Sequence, residues 1–319
     1  MSREKIVVAI DTSNYTTSLA VLGIDGEVFA NLKYSLDVRD GARGIRQSDA
    51  VFLHTVNLPS IMKDAREYIE GKEIVAVGVS EKPRNAEGSY MPCFLAGVSA
   101  AESFATALSV PAYRFSHQCG HIMAAVFSSK RFDLIDKPFA ALHVSGGTTE
   151  LVRVCPSNVG FETELIGGTL DLNAGQVIDR VGVSLGLKFP AGPALEQLAL
   201  TNVDKVPKKK ISSRDTSVNL SGLENMAIKL YAETGNAPLT AAFVFDYIGN
   251  AIAKICEGYI EKFGDSTFVY AGGVMSNSLI KKKLAEKFNA VFAVPELSSD
   301  NAVGTAVLAL RAYKTERGF

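Results

Sequence analysis

Two histidines stand four residues apart in His117-Gln118-Cys119-Gly120-His121, half of the four histidines in the chain. Ser116 suits the N-cap of a helix beginning there. A spacing of four then puts both imidazoles on one helix face, close enough to share a metal ion, with Gly120 relieving crowding beside them. Two histidines hydrogen-bonded at a helix start produce the same pattern, and both readings stand at this point. Two ligands do not close a site, so a carboxylate has to arrive from elsewhere. Asp300, in the polar stretch 295–301 ahead of the last expected helix, is the candidate. Cys119 points away on a regular helix and reads as packing.

The second place where residue types suggest chemistry is Ser145-Gly146-Gly147-Thr148, between two short runs, 139–144 and 149–154, that read as strands. Glycines there permit positive φ and let backbone N–H groups approach an anion with no Cβ in the way, while the hydroxyls add donors. Such a turn can cradle a phosphate; an ordinary hairpin turn has the same sequence. The unit recurs near the N-terminus as strand 6–10, the hydroxyl-rich turn Asp11-Thr12-Ser13-Asn14-Tyr15-Thr16-Thr17, and a returning strand 18–22. Two such hairpins facing each other resemble the pattern of actin, hexokinase and Hsp70, in which two related domains hold a nucleotide's phosphates. Ala271-Gly272-Gly273-Val274-Met275-Ser276-Asn277 adds a strand ending in a glycine pair before a helix, whose N-terminus offers free N–H groups to a nucleotide. Pro190-Ala191-Gly192-Pro193 is a rigid turn suited to lying against a planar ring or to starting a helix. Lys205, Lys208, Lys209 and Lys210 form a basic run that reads either as a solvated loop or as an RNA contact.

The elements that must position these residues alternate along the chain. Strands are expected at 28–35, 74–79, 110–115, 267–270 and 291–294. Helices are expected at 48–70, with Pro59 a break or kink, and at 94–108, 174–187, 239–263 and 302–313. A charged, exposed loop is expected at 37–44. This order implies an α/β protein with a sheet covered by helices. The length of 319 residues suits two domains. The charged stretch 130–137 marks the boundary, giving 1–136 and 137–319, with the last helix packing back on the first domain. The net charge of −1 creates no global field toward nucleic acid or membrane, so any RNA contact must be local. Four cysteines without CxxC spacing argue against a disulfide framework or a structural zinc site and for a reducing cytoplasmic setting. The start turns polar too early for a signal peptide, and no membrane span is expected.

HQCGH (His117 to His121), HVSGGTTEL (His143 to Leu151), GGTLDLNAGQVIDRVGVSLGL followed by FPAGPALE, then NLSGL, AGGVMSN and SSDNAVGTA occur in the order found in the TsaD family. The chain resembles that family, the tRNA adenosine threonylcarbamoyltransferases once called O-sialoglycoprotein endopeptidases, over nearly its whole length. The resemblance implies an actin-like ATPase (ASKHA) fold, two related α/β domains flanking a nucleotide cleft. It further implies transfer of threonylcarbamoyl from its AMP adduct to adenosine 37 of tRNA. Position by position, the metal ligands would be His117, His121 and Asp300, holding one divalent ion, iron or zinc. The nucleotide, ATP or threonylcarbamoyl-AMP, would contact Val144, Ser145, Gly146, Gly147, Thr148, Asp179, Gly192, Glu196 and Asn277. AMP is a good leaving group, so positioning matters more than a strong base, and no dedicated catalytic base is nominated. Implied partners are tRNA and another ASKHA-fold subunit, without a membrane.

The chain also departs from the family pattern. The usual SCDET reads Ser13-Asn14-Tyr15-Thr16-Thr17, without its two acids; the histidine of VSGGHT is Thr148; the glutamate between the paired histidines is Cys119; and the paired aspartates of DDAAGE are Asp171-Leu172. The Gly-Pro-Gly loop is not evident at Lys82-Pro83-Arg84, and the family's Pro-Glu is Gln47-Ser48. Three readings therefore stand: the tRNA transferase, a carbamoyl transferase with another acceptor, and a divergent paralogue serving as a nucleotide-binding regulatory or scaffold subunit. A metalloprotease is disfavoured, because no glutamate is placed to act as its base.

Overall fold

In the computed structural model, residues 3–13, 15–36 and 45–318 are described; the charged loop expected at 37–44, and Asn14, lie outside them. The chain divides into two units. The first holds Met1–Lys137, Cys155–Thr163 and Glu296–Phe319, and the second holds Pro138–Val154 and Glu164–Pro295. The sequence suggests 1–136 and 137–319 with the last helix returning to the first domain; the first unit is assembled from three pieces, taking in 155–163 as well as 296–319. The reason is contact: the turn at 157–160 sits with Gly160 near Leu308, while Asn85 donates to the carbonyl of Phe161 (3.2 Å).

The first unit opens with β1 (Lys5–Asp11), β2 (Thr16–Gly23) and β3 (Val28–Ser35), followed by α1 (Gln47–Ile69), β4 (Glu73–Lys82), α2 (Phe94–Leu108), β5 (Ala112–Ser116) and α3 (His117–Ser128). Its five strands run in the order β3-β2-β1-β4-β5, with β1, β2 and β3 antiparallel and β1, β4 and β5 parallel. Alternation along these strands gives each face its own partners. Ile6, Val8, Ile10, Leu19, Val21, Val77 and Val79 join one buried cluster with Leu58, Ile61 and Ala65 of α1 and Ala101 and Ala105 of α2. Helix α1 continues through Pro59 rather than breaking there, because Leu58, Ile61 and Ala65 stay buried on its inner side while the proline is exposed.

The second unit contains β6 (Phe139–Val144), most of β7 (Thr149–Pro156) and of β8 (Phe161–Thr169), α4 (Ala174–Ser184), α5 (Gly192–Leu200), β9 (Ser213–Arg214), β10 (Ser217–Val218), α6 (Ser221–Thr234), α7 (Ala237–Phe263), β11 (Phe268–Ala271), α8 (Ser278–Ala285) and β12 (Ala290–Phe292). The strand order is β12-β11-β6-β7-β8-β10-β9. Strand β8 escaped the sequence reading, because Glu162, Thr163 and Glu164 interrupt any apolar run. Helix α7 is long and apolar enough to span a membrane by length and composition, and 78% of that window is buried, so it serves as the core helix of this unit. A short α9 (Pro295–Ser298) then leads to α10 (Val303–Glu316), which belongs to the first unit.

The face of the first sheet opposite α1 and α2 receives α10. A Cβ on Gly78 of β4 would lie 2.9 Å from Cβ of Ala309 and 3.0 Å from the carbonyl of Thr305. Only a glycine lets this helix lie so close to the strand.

Candidate functional site

Helix α3 begins where the Ser116 hydroxyl accepts the N–H of Cys119 (3.2 Å), which caps its first turn and sets His117 and His121 on one side. Their Nε2 atoms lie 3.0 Å apart. Asp300 Oδ1 is 3.3 Å from Nε2 of His121 and 3.6 Å from Nε2 of His117. One ligand atom from each residue thus falls within 4.8 Å of the others. The crossing of α3 and α10 brings Asp300 there. A Cβ on Gly304 would sit 1.9 Å from the carbonyl oxygen of Gly120, and one on Gly120 would sit 2.8 Å from Oγ1 of Thr305. Gly304 thus lets the backbone of α10 meet that of α3, and Gly120, beside the imidazoles, also leaves room for the Thr305 hydroxyl.

Asp11 was missed by the sequence reading as a site residue. It ends β1, and its Oδ2 accepts from Nδ1–H of His117 (2.9 Å) while Oδ1 accepts the N–H of Ser13 (2.8 Å). The available signal was an acid closing the apolar run Ile6 to Ile10. Burial raises the Asp11 carboxyl, but His117 and the hydrogen bonds around it outweigh burial and hold it below its ordinary value. Burial would lower His117; the Asp11 carboxylate, then Asp300, overcome that and lift it to about 10. His121 is lowered by burial and by the charge of His117, and Asp300 is held far below the usual range because both imidazoles outweigh its burial.

These residues fit a divalent cation. With Nδ1–H of His117 committed to Asp11, its Nε2 is directed at Nε2 of His121 and at the Asp300 carboxylate, and two imidazole nitrogens with one carboxylate oxygen suit a metal of intermediate softness. A carboxylate behind a ligating imidazole fixes its tautomer and raises its basicity.

In the second unit the turn between β6 and β7 is closed by Ser145 N–H donating to the carbonyl of Thr148 (2.7 Å), and Gly147 N–H donates to the Ser145 hydroxyl (3.3 Å). A Cβ at Gly146 or Gly147 would meet nothing within 4 Å, so this backbone is open to an anion. The N-terminus of α4 is pressed against the turn: a Cβ on Gly175 would lie 2.7 Å from Cα of Gly146, and Ala174 N–H donates to the Thr149 hydroxyl (2.9 Å). Gly272, at φ +95°, abuts the carbonyl of Val144, where a Cβ would fall at 2.4 Å.

Asn277 caps α8 through its side-chain oxygen (3.0 Å to Ile280 N–H), while its buried Nδ2 has no partner among the described residues. Glu196 accepts from both the N–H (2.7 Å) and the hydroxyl (2.6 Å) of Ser278, next to Asn277. Asp179 accepts from Ala191 N–H (2.8 Å), and its pKa is raised by burial, which outweighs the opposing N–H bonds from Ala191 and Gly192. The stretch 190–193 is therefore a helix start, with Gly192 opening α5 and Pro193 in its first turn. The structure places Ser145 and Gly146 against the start of α4 and Val144 against Gly272, leaves Gly147 and Thr148 in the turn itself, joins Glu196 to Ser278 beside the Asn277 cap, and joins Asp179 to Gly192. The lysines at 205, 208, 209 and 210 are exposed in an irregular segment between α5 and β9.

A strand, a polar turn and a returning strand occur once in each unit, set in mixed sheets covered by helices, and this defines the class: the chain has the actin-like ATPase fold. It aligns with Thermococcus HypF ("T.kodakarensis HypF") at TM-score 0.64 and 13% identity, covering 98% of this chain and 48% of that one. It also aligns with the activator of the 2-hydroxyisocaproyl-CoA dehydratase from Clostridium difficile at TM-score 0.53 and 15% identity, covering 98% and 97%. Residues 27–307 match the family model TsaD, tRNA N6-adenosine threonylcarbamoyltransferase. Relatives bearing that name include one from Streptococcus suis, 31% identical over 99% of this chain and 95% of its own length. Another, from Thermosipho africanus, is 29% identical over 97% and 94%. The chain belongs to the TsaD family.

Proposed function

We propose that the protein transfers the threonylcarbamoyl group from its AMP adduct to N6 of adenosine 37 in tRNA. In that reaction the exocyclic nitrogen attacks the carbamoyl carbonyl carbon, the bond from that carbon to the phosphate oxygen breaks, AMP leaves with the electron pair, and the nitrogen gives up a proton to water. Convergence of His117, His121 and Asp300, with Asp11 orienting His117, is the observation that carries the reading. These residues would hold one divalent ion, iron or zinc, which when bound supplies a Lewis-acid charge for a carbonyl or phosphoryl oxygen. The turn's own bonds use the N–H groups of Ser145 and Gly147; those of Gly146 and Thr148, with the Ser145 and Thr148 hydroxyls, suit the phosphate of the leaving group, and stabilising its charge favours departure. The unpartnered Nδ2 of Asn277 is a donor available to the same nucleotide. Asp179 and Glu196 act on the nucleotide by their own positions and by holding the start of α5 and the cap of α8. The setting proposed is cytoplasmic, with a second subunit of the same fold as partner.

The test supplies purified protein with threonylcarbamoyl-adenylate and unmodified tRNA and measures metal content and modified adenosine. Turnover in the wild type that His121→Ala abolishes supports the reading. One observation favours a regulatory paralogue instead: the acids of the family's first turn are Tyr15 and Thr16 here. Nucleotide binding without tRNA modification would select that alternative.

A further inference from the structure

Across the first sheet, Asp11 pairs with Ser18 and Ser18 pairs with Lys33, so the three form one cross-strand row on β1, β2 and β3. Residues directly opposite one another share a face, and this is the face away from the apolar cluster of α1 and α2, because Ile10, Leu19 and Leu32, the neighbouring cross-strand row, belong to or pack on that cluster. From one end of the row Asp11 grips Nδ1–H of His117. From the other, about 10 Å away at two strand spacings, Lys33 Nζ donates to the carbonyl of Glu296 (2.7 Å) and to the hydroxyl of Ser299 (3.0 Å). Ser299 immediately precedes Asp300.

We propose that Lys33 is a positioning residue of the metal centre, a strap from the edge strand that fixes the loop carrying the carboxylate ligand, so that one sheet row sets two of the three ligands. The inference rests on the metal-centre reading above. Lys33 is half-buried and within electrostatic reach of the Asp300 and Glu296 carboxylates, yet its ammonium donates to a main-chain carbonyl and a hydroxyl of the loop, at a cost in rotamer freedom that a loop anchor explains. The loop has a second, internal brace: Asn301 donates to the carbonyls of Leu297 (3.0 Å) and Ser299 (2.8 Å), and its oxygen accepts Val303 N–H (3.0 Å) at the start of α10. Asn301 shapes the turn, and these bonds stay within the loop and the start of α10. Lys33 ties that turn to the sheet on which Asp11 and His117 already depend.

Binding of Co2+ alone to the full chain, followed by visible absorption with thermal melts alongside, tests this. Lys33→Met is expected to weaken Co2+ at least about tenfold and to alter the absorption bands as the Asp300 oxygen is lost, while Lys33→Arg, which keeps two donors and the charge, stays within about threefold of wild type. Ser299→Ala removes one anchor without changing charge and is expected to weaken Co2+ by about threefold. It separates anchoring from the electrostatic effect of deleting a cation, and it carries the test alone if Lys33→Met melts early. Wild-type Co2+ affinity in both Lys33→Met and Ser299→Ala, with His121→Ala unable to bind, would overturn the strap and leave the metal centre intact. Unchanged Co2+ affinity in His121→Ala would instead overturn the metal-centre reading on which the strap depends.

Discussion

The two polar hairpins, alike in sequence pattern, have opposite fates. The turn after β1 is drawn into its unit: Thr12 donates through its hydroxyl to the carbonyl of Cys93 (3.0 Å) and accepts Gly97 N–H (3.1 Å), while Asp11 is committed to Ser13 and His117. Thr12, Ser13 and Thr17 are all buried. The turn after β6 is bare: Gly146 and Gly147 have open space where side chains would stand. The first copy therefore works as a fixture that aims a ligand, and the second keeps backbone donors for something outside the chain. A repeated motif carries a geometry, and what packs on it decides its use.

The sharpest way to break this contrast is to insert volume into each. Gly304→Val puts atoms where α10 touches α3 and is expected to cost about 3 kcal/mol or more of stability, since neither backbone can yield, with Co2+ binding lost as Asp300 moves away; urea unfolding and a Co2+ titration read both. Next in size, Asp11→Asn preserves shape but removes the charge behind His117, and a metal titration should show a loss of about 10- to 100-fold. Gly146→Ala, in open space, should leave the unfolding free energy within about 0.5 kcal/mol of wild type. It should nevertheless weaken binding of an AMP adduct, measured by calorimetry, by about fivefold as one backbone donor is shielded.

The smallest effect concerns pH. Burial alone would raise the Asp171 carboxyl, but the Ser221 hydroxyl and the N–H groups of Leu220, Leu172 and Ser221 outweigh it and hold it below its ordinary 3.8. A depressed acid stabilises the fold above its unfolded value and loses that contribution as pH falls through the folded one. Asp171→Ala should thus cost about 1 kcal/mol at neutral pH, as for loss of a helix cap. The gap to wild type should close below pH 3.8 in thermal melts.

Much of the architecture was legible in local pattern. Apolar runs ending in glycine or hydroxyl-rich turns marked β1, β6 and β11, and the i, i+4 spacing with Ser116 ahead of it marked α3, because strand alternation and helical periodicity are properties of neighbouring residues. Strand β8, with charged residues along it, and the uninterrupted α1 were not legible, since cross-strand pairing and burial override local preference.

The sequence by itself determined that two imidazoles share a helix face, that a glycine turn follows β6, and that an acid ends β1. Tertiary structure alone decided that Gly304 meets Gly120, that Asp11 lies behind His117, and that Lys33 reaches Ser299 across more than 260 positions. Those contacts are set by which faces of separate elements come together, and no spacing along the chain encodes a distance of that kind.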